Sequence, residues 1–199
     1  VTAGSDIQIG GRGYHIPGYG SEGFVTVGGI GNVSGLSARL STLGDIILGF
    51  DGLSGDAALT INEGGQVVAN GLTMWPAAEV FHNGGSIDVQ NFQISDAATY
   101  HLDGGNFFIS GGNGSFGSDF AYGSAALESP SFFVHTGADV TVAGSWTIAD
   151  EEGTYGTTNV GGAMPDGSRR STLQNTGNGN LRVGNLGGGT LNIDAGGLV

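Results

Sequence analysis

An all-β fold of stacked parallel strands, a parallel β-helix or β-solenoid with irregular loops, is what this sequence predicts. Three observations predict it. A short apolar-polar-apolar block recurs along the chain. Glycine takes 42 of 199 positions, about three times its ordinary ~7% share. Charged residues are only 12%, about half the usual ~25%. The glycine follows no Gly-X-Y period, which excludes collagen. An apolar fraction of 38%, with Ile, Val, Leu and Phe throughout, excludes a disordered linker. The length suffices for one domain with a real interior.

The recurring block reads LTINEGGQV at 59–67, FQISDAATY at 92–100, WTIADEEGTY at 146–155 and LNIDAGGLV at 191–199. Each opens with the period-2 alternation of a half-buried strand. Each continues into a small polar turn whose Gly and Asn tolerate positive φ. A second block, FHNGGSIDV at 81–89, VHTGADVTV at 134–142 and LQNTGNGNLRV at 173–183, precedes three of these. The blocks start at Leu59, Phe92, Trp146 and Leu191, spaced 33, 54 and 45 residues apart. Uneven spacing suits a stack in which each repeat contacts only its neighbours. No stretch keeps helical spacing; Gly35 and Gly44 interrupt the best candidate, residues 33–48. Stacked repeats align like side chains, so Ile61, Ile94, Ile148 and Ile193, with Phe81, Phe92 and Trp146, are expected as interior columns. Asn83, Thr136 and Thr176 are expected as a corner ladder.

The chain, 1–199, is expected to be one solenoid domain, a segment or subunit of a larger assembly. Residues 1–30 read as an irregular N-terminal region or cap. Residues 111–130 and 161–170, rich in Gly and Ser with a Pro each, read as loop insertions. The chain begins at Val1 with no basic n-region or apolar h-region, as expected of a processed product or an excised piece.

The unit STLQNTGNGNLRVGNLGGGTLNIDAGGLV, residues 171–199, resembles the repeat of autotransporter-type passenger domains and of PEP-CTERM-type exported bacterial proteins. Ser171-Thr172-Leu173, Asn175, Gly177, Leu181-Arg182-Val183-Gly184 and the run from Gly189 to Val199 carry the likeness. Leu173 stands where the pattern has Trp. The resemblance is closest over these 29 residues, weaker over 41–110 and poor over 1–30. It implies a right-handed parallel β-helix on a secreted or surface-exposed bacterial protein, and no particular ligand.

Charge narrows the partners. Eighteen acids face five bases, a net charge of −13, which opposes binding to nucleic acid or to an anionic membrane surface. All five bases are Arg and there is no Cys, so no disulfide contributes. Asp88 and Asp139 occupy matching block positions, with Asp103 nearby. Paired carboxylates could serve acid/base chemistry on a sugar, but the alternation reads them as outward solubilising residues. His82 and His135 also align, and two stacked imidazoles could hold a metal. Asn175 at the third copy favours a surface ladder instead, and His15 and His101 lack partners. GGNGSF at 111–116 starts like a calcium-roll repeat, but Phe116 stands where its Asp belongs. The acidic turns at 51–56 and 150–153 are the places a calcium ion would choose; no cofactor is expected. GGIGNVSG lacks the Lys of a phosphate loop. Tyr14, Tyr19, Phe116, Phe120 and Tyr122 could stack on a glycan or partner, or could pin loops to the solenoid wall. Thr residues are too scattered for an ice-binding array.

The expectation is therefore a non-enzymatic structural or adhesive extracellular protein. It would associate with itself or with further repeats of its own chain, because a rung left open at Val199 exposes backbone and apolar cross-section. A carbohydrate-active enzyme or glycan-binding module is the alternative.

Overall fold

A computed structural model describes residues 1–10, 23–28, 38–49, 56–95, 97–117, 119–123, 130–162 and 170–199. Among these residues there is no helix, and every strand pairing is parallel.

The strands fall into three ladders. The first stacks Thr2–Ala3, Ala38–Thr42, residues 65–68, 86–89 and 106–110, Ser131–His135, Tyr155–Val160 and Gly188–Ile193. The second stacks Ile7–Ile9, Asp45–Leu48, residues 71–74 and 91–94, Asn113–Phe116, Asp139–Val142, Ser171–Asn175 and Gly197–Leu198. The third stacks Gly23–Val27, Ala57–Ile61 and residues 78–82 and 99–102. It resumes as a separate sheet of Phe120–Tyr122, Trp146–Ile148 and Leu181–Val183. The chain visits the first, second and third ladders in that order and begins again, so each circuit lies against the one before it. The tightest circuits advance 20 residues, as from Gln66 to Ser86 to Asn106.

Alternation sends one face of the strands of the middle circuits into a single shared core. In the second ladder, Ile9, Leu48, Met74, Ile94, Phe116 and Val142 lie in register, all buried. In the first, Leu40, Val67, Ile87, Phe107 and Phe132 do the same. Aromatic rings fill the middle circuits. Phe107 and Phe132 meet edge to face at 5.1 Å, Phe132 and Trp146 at 4.7 Å, and Tyr100 stacks on Phe107 at 5.0 Å. Pairs in these arrangements contribute beyond their area.

These columns differ from the expected ones. Ile94 belongs to the second ladder and Ile193 to the first. Ile61 and Ile148 belong to the third, on opposite sides of its break. Ile61, Ile94, Ile148, Phe92 and Trp146 are buried, whereas Ile193 is 52% exposed and Phe81 faces outward, half-buried. The reason lies in the repeating unit. The block is strand, corner, strand, one third of a circuit. Residues 59–67 round the corner from third to first ladder, 92–100 from second to third, and 191–199 from first to second. All three faces ask for the same alternation and the same small corner, so like sequences occupy different faces. The matches therefore do not report what stacks on what.

The corners close with short backbone bonds, such as Gly65 N to Asn62 O at 2.9 Å, Ala78 N to Trp75 O at 3.0 Å and Gly197 N to Asp194 O at 2.8 Å. The Trp75–Ala78 corner has Pro76 second and Ala77 at φ 65° third, a type II arrangement. Two further expectations need correction. Residues 1–30 contain the strands Thr2–Ala3, Ile7–Ile9 and Gly23–Val27, and 111–130 contains Asn113–Phe116 and Phe120–Tyr122. Both stretches contribute to the ladders, because the inward positions carry Ile, Val, Phe and Tyr. Residues 163–169 of the second expected loop lie outside the described residues.

Gly85 sits at φ 72° where the third ladder turns into the first, and a Cβ there would run into the Gly65 carbonyl and stand 2.8 Å from that of Asn62. Gly153 has a similar φ of 77° with open space around it. Gly153→Ala should therefore cost about 1–2 kcal/mol, the left-handed penalty alone. Gly85→Ala should cost more, because two backbones must also move apart. Denaturant unfolding of both variants measures the difference.

Candidate functional site

Phe116, Phe120 and Tyr122 are interior, 2–4% exposed. Phe120 packs on Phe116 at 4.6 Å and on Trp146 at 4.8 Å. The Tyr122 hydroxyl bonds Thr158 Oγ1, and Trp146 Nε1 donates to the same oxygen at 3.3 Å. Burial pushes the Tyr122 phenol pKa up, partly offset by the Thr158 bond. These rings support the wall from inside and present nothing to a glycan. Of the two alternatives for these aromatics, a glycan contact and packing on the wall, burial favours the second. Tyr14 and Tyr19 lie outside the described residues.

The matched carboxylates do not face each other. Asp88 is on the first ladder, Asp139 on the second and Asp103 beyond the third. Asp139 accepts from the Thr172 hydroxyl. Asp88 accepts from Ser110 Oγ at 2.9 Å, and Ser110 Oγ lies 2.9 Å from His135 Nε2. A carboxylate only accepts, so the Ser110 hydrogen goes to Asp88 and the imidazole donates to Ser110. That direction is opposite to what activates a serine. His135 Nδ1 contacts Thr136 Oγ1 at 2.7 Å, completing a chain that ties successive circuits together.

The histidine pair is also separated. His82 is an interior residue of the third ladder, between Ile61 and Leu102 in register, while His135 is on the first. The inward rhythm Ala78, Val80, His82 was the signal that could have placed it. His82 Nδ1 lies 3.0 Å from the Tyr100 hydroxyl, and its Nε2 has no partner. Desolvation lowers the imidazole pKa from 6.5 to about 4, with the backbone of Gly85 and Gly84 pulling partly the other way. His101 stacks on Phe81 at 5.1 Å. Of the acidic turns, residues 51–55 lie outside the described residues, and Asp150 accepts from Asn185 Nδ2 at 2.8 Å. Among the described residues no three His, Asp or Glu side chains gather where a metal could sit.

Two features of the surface stand out. One is the break in the third ladder: residues 99–102 and Phe120–Tyr122 follow each other on that face without pairing. Two small cavities, about 190 and 230 Å³, open there, both bounded by Tyr100, His101 and Ala121. The other is the last circuit. Leu181, Val183 and Ile193 lie in register with Trp146, Ile148 and Val160, which are buried. Yet the three are 38%, 43% and 52% exposed, and Leu198 is 53% exposed. A cavity of about 530 Å³ opens beside them, walled by Val142, Trp146, Leu173, Leu181, Leu198 and Val199. Interior columns thus run on through Leu181, Val183 and Ile193.

Two outcomes follow. Phe120→Ala should cost about 3–5 kcal/mol of stability, measured by denaturant unfolding, because it hollows the aromatic interior. His82 is held neutral by folding, so the unfolded chain binds its proton first as pH falls through 6.5. Its contribution is full above pH 6.5 and declines as the pH approaches 4, by on the order of 3 kcal/mol in all. Unfolding free energies at pH 7 and pH 4.5 should differ less in His82→Leu than in the parent.

No protein-family model, no curated protein and no solved structure matches this chain.

Proposed function

We propose that the chain is a right-handed parallel β-solenoid acting as a non-enzymatic, extracellular structural or adhesive scaffold, exported by a bacterium, whose uncovered last circuit accepts further circuits of the same build. The hand follows the rule for crossovers between parallel strands, right-handed in about 98% of cases. The carrying observation is register: Leu181, Val183 and Ile193 continue the buried columns of Trp146, Ile148 and Val160. The last circuit's strands Gly188–Ile193, Gly197–Leu198 and Leu181–Val183 each pair on one side only among the described residues. Unpaired strand edges beside apolar surface recruit more strand. The circuit that covers them could continue the same polypeptide or come from a second copy.

The location rests on the resemblance of residues 171–199 to exported bacterial repeats. A carbohydrate-active reading has less support, since Phe116, Phe120 and Tyr122 point inward and Asp88 and Asp139 stand on different ladders.

Sedimentation of the 199-residue chain over a range of concentrations tests the proposal. Self-association is expected, and the double variant Leu181→Lys, Ile193→Lys should abolish it with the circular dichroism spectrum unchanged. A parent chain that stays monomeric at millimolar concentration would refute the sticky-end reading. Assemblies that form should diffract with a spacing of about 4.8 Å along their axis.

A further inference from the structure

We propose that the break in the third ladder is an acid-opened seam, with Tyr100 as its upper lip and His82 as the group that releases it. The proposal concerns a conformational property and stands whether or not the chain is a scaffold.

The geometry comes first. Residues 99–102 pair with 78–82 on one side and lack a pair toward Phe120–Tyr122 on the other. The first and second ladders run unbroken past the same level, through Phe107 to Phe132 and through Ile94 to Phe116. Two ladders thus hold while the third is parted, so a hinge already exists. Tyr100 borders both cavities of the seam and reaches inward, with its hydroxyl 3.0 Å from His82 Nδ1. Among the described residues, two buried side-chain polar atoms have no hydrogen-bond partner, and both flank this strand. His82 Nε2 is on the strand above it and Ser95 Oγ on the corner leading into it.

The chemistry follows from what surrounds the ring. Ile61 and Leu102 lie above and below it in register. The corner beside it offers only the backbone of Gly84 and Gly85. Tyr100 is the titratable group that faces it. Glu79 and Asp103 are exposed, His101 lies half-buried against Phe81 on the outer side of the ladder, and Glu63 is exposed on the preceding corner. Among the described residues no carboxylate therefore neutralises an imidazolium here, and a buried charge without a counter-ion is costly. Protonation also turns Nδ1 into a donor, so the Tyr100 hydroxyl can no longer donate to it. The Tyr100 hydroxyl must then turn its hydrogen away to accept from Nδ1, and water entering at the seam beside Tyr100 is a partner for the hydrogen so displaced. Burial holds the imidazole pKa near 4, which places the event in the acid range.

Amide hydrogen exchange tests this, with rates corrected for the intrinsic effect of pH. Between pH 6.5 and pH 4, residues 99–103 and 119–123 should lose protection at least tenfold while 139–142 keep theirs. In His82→Leu, where an apolar side chain continues the column, the seam should stay protected across that range. In the parent chain, the His82 ring signals, followed by NMR, should titrate over the same pH interval in which the seam amides open. Equal opening in His82→Leu would overturn the proposal. So would loss of protection at 139–142 together with the seam, or titration of His82 with the seam still closed.

Discussion

Parallel backbone pairing between successive circuits is the constraint on which the rest of this structure depends. No strand here can satisfy its amides alone or with its chain neighbours. In the first and second ladders, each strand between the ends bonds the strand at the same position one circuit earlier and one circuit later. That forces side chains into columns, because the residue above any inward position is another inward position. It also explains the low charge. Outward polar groups bond along the columns, as Asn83 to Asn62 at 3.1 Å, Asn192 to Asn159 at 2.8 Å and Asn70 to Asp45 at 2.9 Å. A surface whose amides and carboxylates satisfy one another needs few ion pairs.

Columns of like residues are stable only when neighbouring faces leave room, and the interior shows how that is met. Phe92 and Val140 lie on either side of Gly114 in the second ladder, and a Cβ on Gly114 would press into Ile109. The missing side chain leaves that space to Ile109 and Val140. Two polar residues enter this interior with different consequences. Thr158 is fully buried and takes bonds from Tyr122 and Trp146. His82 has one bond for two ring nitrogens. The first strengthens the packing of three circuits, and the second leaves a titratable weak point beside a parted ladder.

Much of the fold was legible in the residues. The period-2 alternation of residues 59–61, 92–94 and 146–148, the Gly- and Asn-bearing corners and the absence of helical spacing all pointed to stacked strands. The candidate chemistry was legible only as residue types. Pairing Asp88 with Asp139, or His82 with His135, assumed that similar blocks lie on one face. They do not, since a third of a circuit is a complete sequence unit and each copy falls on whichever face the preceding corner lengths dictate. The strands at 113–116 and 120–122 were hidden for a related reason: glycine and serine around them resemble loop chemistry, yet in a tight circuit they are what lets strands follow closely.

By itself, then, the sequence determined the class of local structure: short strands with one apolar face, joined by corners only small or turn-forming residues can make. Those are properties of single residues and nearest neighbours. Which residue lies above which was decided by tertiary structure alone. So were the interior position of Tyr122, the unpaired His82 nitrogen, the parted third ladder and the uncovered Ile193. Register in a parallel ladder is chosen by which inward side chains pack on the circuit before, across corners of differing length, and that is a contact between residues far apart in the chain.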